Sequence, residues 1–328
     1  MEKRYDFKKI KLDRLSETND WFAQDSVNMS TVHGREKSEE YVESFMRFIN
    51  EQRNQKNKQN FTKSHKLRRF LTMASIRMEF TYPRELEKAK AERWPVLIPI
   101  GTMEYHSSIC PYGCDSLVAM GLIEKVAEKV DCVVMPPVWY GVASYAVAGP
   151  EKGSIHVDCD TFEQNIYCIL KSLFLAGFNR NIYLVICHQT EDFNPMELAC
   201  RKAARKLVFE YLDQTKGYGW WGKNENKEFY QQMSAEDNPW NWVQVMGSGR
   251  NLVPNATAKW GGGDHAGKCE CSMLEYLWPG TIKLDRLPET DDWFAQDSVN
   301  MSHEFGMERC EEYVENFVKF IKAQKGIE

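Results

Sequence analysis

The chain has no uninterrupted apolar run approaching the roughly 18 residues that a membrane-spanning helix needs. Its first residues, MEKRYDFKKIKLDRL, lack the apolar stretch of a signal peptide, so a cytoplasmic location is the expectation. No G-x-G-x-x-G or Walker pattern follows an apolar run, which argues against a phosphate-binding nucleotide domain. Charge of one sign is also scarce. With 42 basic and 47 acidic residues the net charge is only −5, giving no general attraction to nucleic acid or anionic membranes. Paired C-x-x-C sets are missing, although the chain has 10 cysteines. Cys110 and Cys114 are four apart and Cys269 and Cys271 two apart, spacings that do not make a zinc finger. Most of the others lie in apolar segments, such as Cys168 in NIYCIL and Cys187 in YLVIC, and read as reduced core residues.

What is present is ample apolar material, 43% of 328 residues, enough to bury a sizeable core. There is also an internal duplication. Residues 10–52 and 282–324 align at a constant offset of 272 without a gap, with 30 identities in 43 positions. Two distant copies do not make a solenoid. Each copy carries a polar, turn-rich stretch and then an amphipathic helix, expected at 39–52 and 311–324. Tyr313, Phe317, Phe320 and Ile321 fall at helical spacing, a stripe that suits packing. The division expected is an extra copy of the tail over 1–57, a basic polar linker over 58–72, and a main domain over 73–328.

From residue 83 the pattern alternates. Helices are expected at 83–94, 115–130, 161–176 and 194–213, and buried strands at 96–101, 132–138 and 181–187. Such alternation indicates βαβ units and an α/β fold with a mainly parallel central sheet. Open parallel sheets carry their sites at the carboxyl ends of strands. Three polar loops follow strands here: GTMEYHSS, YGVAS and HQTED.

Glu104 and His106 form an E-x-H pair just past a strand, where alternate side chains point the same way. Asp115 opens a helix, and its two carboxylate oxygens can bridge two ions or simply cap that helix. His188 ends another strand, and a neutral imidazole suits Zn, Mn or Fe. Singly each has an ordinary structural reading. Together they suit one divalent-metal site.

The motifs resemble those of the creatininase (creatinine amidohydrolase) family. LIPIGTMEYHSSICPYGCDSLVA is similar to its strand, G-[ST]-x-E-x-H and P-x-G-x-D run. MPPVWYGVAS, GFNRNIYLVICHQTED and GDHAGKCECSMLEYLWPG follow in the family's order. The resemblance implies a three-layer α/β/α sandwich, a two-metal centre for amide hydrolysis, and a homo-oligomer, often a hexamer. It implies that Glu104 binds one ion, His106 the other, that Asp115 bridges, and that His188 completes the first site. His265 falls at a proton-relaying histidine, with Asp264 beside it to orient it. Glu270 falls at a glutamate that binds metal or supports a ligand, and Ser144 at a substrate-contacting serine. The sequence departs at Ile109, where the family often has a second histidine, and at Thr190, where creatininase has a metal-binding glutamate. Glu191 is the nearest substitute.

The expected chemistry is attack of metal-activated water on an amide carbonyl of a small molecule, with His265 protonating the departing nitrogen. The ions expected are Zn or Mn, with Fe as an option, one or two in number. A tryptophan-rich stretch, 217–249, reads either as packing or as a lid, in which Trp221, Trp242 and the later Trp260 would stack on a flat substrate. Rival functions are a deformylase or peptidase on the same fold, and a non-catalytic binding or assembly subunit.

Overall fold

The order of the central sheet, Ile76–Arg77, Val133–Val134, Val96–Ile100, Ile182–Ile186 and Val243–Met246 with every pairing parallel, sets where the loops gather. In the computed structural model the described residues are 75–188, 194–247 and 264–327, all within one unit. The amino-terminal repeat copy and the linker lie outside them. The strands are β1 (Ile76–Arg77), β2 (Val96–Ile100), β3 (Val133–Val134), β4 (Ile182–Ile186) and β5 (Val243–Met246). Interleaved with them are α1 (Pro83–Ala91), α2 (Cys114–Ala127), α3 (Cys159–Leu175), α4 (Pro195–Lys216), α5 (Lys227–Gln232), α6 (Lys268–Leu277) and α7 (His303–Gln324).

VLIPI and IYLVI are buried at all positions because helices cover both faces of the sheet. They pair in register from Val96 with Ile182 to Ile100 with Ile186. Side chains alternate between faces. Val96, Ile98, Ile100, Ile182, Leu184 and Ile186 pack with residues of α1, α3 and α4. Leu97, Tyr183 and Val185 pack with residues of α2, α6 and α7. The result is a three-layer α/β/α sandwich.

Two sequence expectations change. The strand expected over 132–138 is ordered as β3 for only two residues, because Pro136 and Pro137 have no N–H to donate. The chain rejoins the sheet at Val138, whose N–H donates to the Pro99 carbonyl at 2.9 Å. The tryptophan-rich stretch contains the edge strand β5, hidden there by its aromatic neighbours.

The carboxyl-terminal repeat copy forms two 3-10 segments, Leu284–Glu289 and Trp293–Asn300, and then α7. The helix begins eight residues before the position expected. Ser302 caps it, its hydroxyl accepting from the Phe305 N–H at 3.1 Å. Tyr313, Phe317 and Ile321 are buried, and Phe317 meets the Tyr183 ring edge-on at 5.5 Å. All ten cysteines are free, but Cys168 lies on the exposed side of α3 and not in the core. Among the described residues no helix is long and apolar enough to cross a membrane.

Candidate metal centre

The site forms where β2, β4 and the start of α6 deliver polar side chains to one rim of the sheet. Glu104 and His106 follow β2, His188 follows β4, and all three are buried. Asp115 is the second residue of α2, just past the capping Gly113, at the end of the helix where a negative charge is favoured. Gly101 allows this seat. A β-carbon there would collide with the backbone of Ser116, forcing α2 and Asp115 off the strand end.

Asp115 divides its oxygens between two histidines. Oδ2 lies 3.2 Å from His188 Nδ1, and Oδ1 lies 3.5 Å from His106 Nε2. Glu104 Oε2 joins the first group at 3.5 Å from His188 Nδ1. Glu270 Oε2 joins the second at 3.4 Å from His106 Nε2. Two triangles of donors therefore share one carboxylate. His265 stacks on His106 with ring centres 4.0 Å apart, its Nδ1 at 3.9 Å from Glu104 Oε2.

The backbone selects the tautomers. His106 Nδ1 lies 3.0 Å from the Glu104 carbonyl, His188 Nε2 3.1 Å from that of Val142, and His265 Nε2 2.8 Å from that of Tyr105. Carbonyls only accept, so each of these nitrogens carries the proton. The opposite nitrogen of each neutral ring then presents a lone pair to the site, as metal-binding histidines do.

A lone pair aimed at carboxylate oxygens is repulsive without a cation between them. Glu104 Oε1, His106 Nε2 and Asp115 Oδ2 are buried and have no hydrogen bond of acceptable geometry. Buried polar atoms are normally partnered. Divalent ions held by the two triangles would satisfy all three, and the donor set of imidazole and carboxylate fits Zn or Mn. The donor atoms of Glu104, Asp115 and His188 lie within 4.8 Å of one another, as do those of Glu104, His106 and His265.

Without an ion, protons on the two rings offset the carboxylates instead. Burial pushes the Glu104 carboxyl up to about 7, against the pull of His188. Burial would raise Asp115 too, but His188 and His106 hold it below the ordinary carboxylate range. Burial opposes the charged form of both His106 and His188, yet Glu270 and Asp115 raise the first, and Asp115 and Glu104 the second. Glu270 is lowered by His106 against its own burial. His265 is lowered, by burial and by His106.

Beside these groups opens a cavity of about 610 Å³. Val118, Ala146, Val147 and Met273 give it apolar walls, and Trp293 and Phe294 form an aromatic rim. Phe294 stands edge-on to His265 at 5.1 Å. The loop bearing Glu104 is tied to this rim, since the Tyr105 hydroxyl donates to Asp292 Oδ2 at 2.8 Å.

Five expected metal-site residues, Glu104, His106, Asp115, His188 and Glu270, are brought together with His265. Glu191 and Thr190 lie outside the described residues, as does Trp260. Asp264 does not orient His265. Its carboxylate accepts from the backbone N–H of Cys269 and, at 3.0 Å, of Glu270, securing the first turn of α6. Ser144 is exposed with φ 63°, its N–H donating to His156 Nδ1 at 3.0 Å, and Ala146 and Val147 line the cavity in its stead. Trp242 belongs to the core at the amino-terminal end of β5, the opposite rim from the site, packed against Phe174 and Tyr211. Trp221 is 70% exposed beyond the carboxyl end of α4, again away from the cavity. Neither forms a lid over the site of its own chain. Trp293 and Phe294 were missed as site residues. The one signal for them was their survival in both repeat copies, as Trp21-Phe22 and Trp293-Phe294.

Known proteins share the family and the fold. The family described as creatininase, creatinine amidohydrolase, matches residues 79–313. A 3-dehydro-scyllo-inosose hydrolase of Thermotoga maritima is 30% identical over 89 residues, 27% of this chain and only 28% of the relative's length. A creatinine amidohydrolase of Pseudomonas putida is 21% identical over 214 residues, 64% of this chain and 74% of the relative. A solved manganese form of creatininase superposes with a TM-score of 0.56 at 18% identity, covering 76% of this chain and 98% of its own. A mutant creatininase of Zn–Zn type gives 0.55 at 18%, covering 76% and 97%. The fold, the matched span and the cluster of histidines and carboxylates, of the kind a metal-activated amidohydrolase uses, lead to one statement: this chain belongs to the creatininase family.

Proposed function

We propose that the protein hydrolyses a carbon–nitrogen bond in a small cyclic or linear amide, creatinine-like or formamide-like, at a divalent-metal centre. The observation that carries this reading is Asp115, whose two oxygens face two separate histidines across a buried, unsatisfied donor set. Bound ions would polarise the amide carbonyl and make hydroxide available at neutral pH. Glu104, Asp115 and His188 would hold the first ion, and His106, Asp115 and Glu270 the second. His265 is neutral at neutral pH, being lowered by burial and by His106, and its bare Nδ1 is placed to accept a proton and pass it to the departing nitrogen. Trp293 and Phe294 offer flat faces at the rim, which suits a planar ring or amide.

Zinc and manganese are the ions supported by the solved relatives. A homo-oligomer, a hexamer by family resemblance, is the assembly we assign, to be checked by sedimentation. The cytoplasm is the compartment that ten free cysteines support.

The test is a substrate panel of lactams, formamides and 3-dehydro-scyllo-inosose, the compound named for one relative, run with the metal-free chain and with added zinc or manganese. Metal-dependent amide hydrolysis is expected. Selective turnover of 3-dehydro-scyllo-inosose would move the activity to that class. An intact zinc site fills when zinc is in excess, so uptake of less than about 0.2 equivalents after zinc-supplemented expression would favour the non-catalytic subunit.

A further inference from the structure

The second ion's donor set extends to sulfur. His106, Cys114 and Glu270 present donor atoms that all lie within 4.8 Å of one another. Cys114 is the first residue of α2, immediately before Asp115, and is fully buried. His106 Nε2, completely buried and without a hydrogen-bond partner, points into the space between Asp115 Oδ1, Glu270 Oε2 and this thiol. Resting on the metal-centre reading above, we propose that Cys114 Sγ is a ligand of the ion held by His106, Asp115 and Glu270, and that this position selects a thiophilic ion such as zinc over manganese.

The surroundings suit a thiolate once a cation is present. Cys114 stands at the amino-terminal end of a 14-residue helix, where the helix dipole favours negative charge. Cys110 is close enough to hydrogen-bond its sulfur, and Cys110 Sγ in turn lies 3.5 Å from Cys271 Sγ. Three thiols thus cluster beside Glu270. Binding exchanges the Cys114 S–H bond for an S–metal bond and releases one proton to solvent. Thiolate donors favour zinc, whereas manganese prefers oxygen. A mixed N/O/S set here would make zinc the ion of this position.

The test uses the full-length protein. Loaded with zinc, its metal-edge X-ray absorption should show one sulfur scatterer at about 2.3 Å. Loaded with cobalt, it should show a near-ultraviolet sulfur-to-metal charge-transfer band. That band should vanish in Cys114→Ser and persist in Cys110→Ser and Cys271→Ser. Cys114→Ser should keep one tightly bound equivalent, which also shows that it has folded, and should bind the second zinc at least about 10-fold more weakly. Metal uptake without a sulfur scatterer, or a band that survives in Cys114→Ser, overturns the ligand assignment and leaves the amidohydrolase reading intact. No metal uptake at all overturns both.

Discussion

Asp115 and His265 both adjoin His106 and should fail differently when altered. Asp115 serves both donor triangles, so Asp115→Ala should abolish metal uptake and hydrolysis together. Retained activity would refute the bridging role. His265 belongs to the proton path, and His265→Gln should keep its metal while kcat falls about 10²–10⁴-fold. Metal analysis alongside steady-state kinetics separates the two. Glu104 sets a pH dependence. Its carboxyl, raised to about 7 by burial, is protonated and a poor ligand below that pH, so metal affinity should climb as pH rises from about 6 to about 8. Stability of the metal-free protein runs the other way. A raised carboxyl contributes stability below its unfolded value near 4.5 that is lost as pH rises through about 7. The raised His106 and His188 add stability at low pH that is lost as pH climbs through their own elevated values, while the lowered His265 opposes them. The metal-free melting temperature should therefore fall between about pH 6 and about pH 8, and the gain on adding zinc should widen. Calorimetry at both pH values checks both signs.

At the scale of elements, Glu270 rides on α6, which packs closely against α7. Gly306 of α7 lies directly on the Ser272 carbonyl of α6, and an added β-carbon would overlap that backbone. Gly306→Ala should therefore cost about 1–3 kcal/mol by overpacking. It should also loosen metal binding, because α6 carries Glu270 in its first turn. Denaturant melts and zinc titration of the variant read the two effects. If stability falls and zinc affinity does not, α6 positions Glu270 independently of α7. The helices and strands themselves were largely legible. The segments expected at 83–94, 96–101, 115–130, 161–176, 181–187 and 194–213 all appear, shifted by a few residues at their ends. Periodicity reveals such elements because each buries one face or both. β1 and β5 escaped notice, because short edge strands carry too little pattern to stand out.

For the whole molecule, every side chain that builds the centre comes from residues 104–270, and the rim comes from the carboxyl-terminal repeat copy. A chain beginning at Met73 should therefore bind metal as the full chain does. Insolubility, or loss of metal, would show that the amino-terminal copy is indispensable. That copy keeps the counterparts of the buried Gly306, Tyr313, Val314, Phe317 and Ile321, as Gly34, Tyr41, Val42, Phe45 and Ile49.

The sequence by itself determined which chemistry was available: imidazoles and carboxylates placed just past strands, in an alternation that a parallel sheet gathers at one rim. It did so because strand ends and helix starts are local features, written in a few neighbouring residues. Only the tertiary structure decided how those groups share the work. The split of Asp115 between two histidines, the capture of Asp264 by the first turn of α6, the burial of Trp242 at the far rim and the arrival of Trp293 and Phe294 at the near one all depend on contacts between residues far apart in the chain. Such contacts are set by how the layers pack, and no local pattern records them.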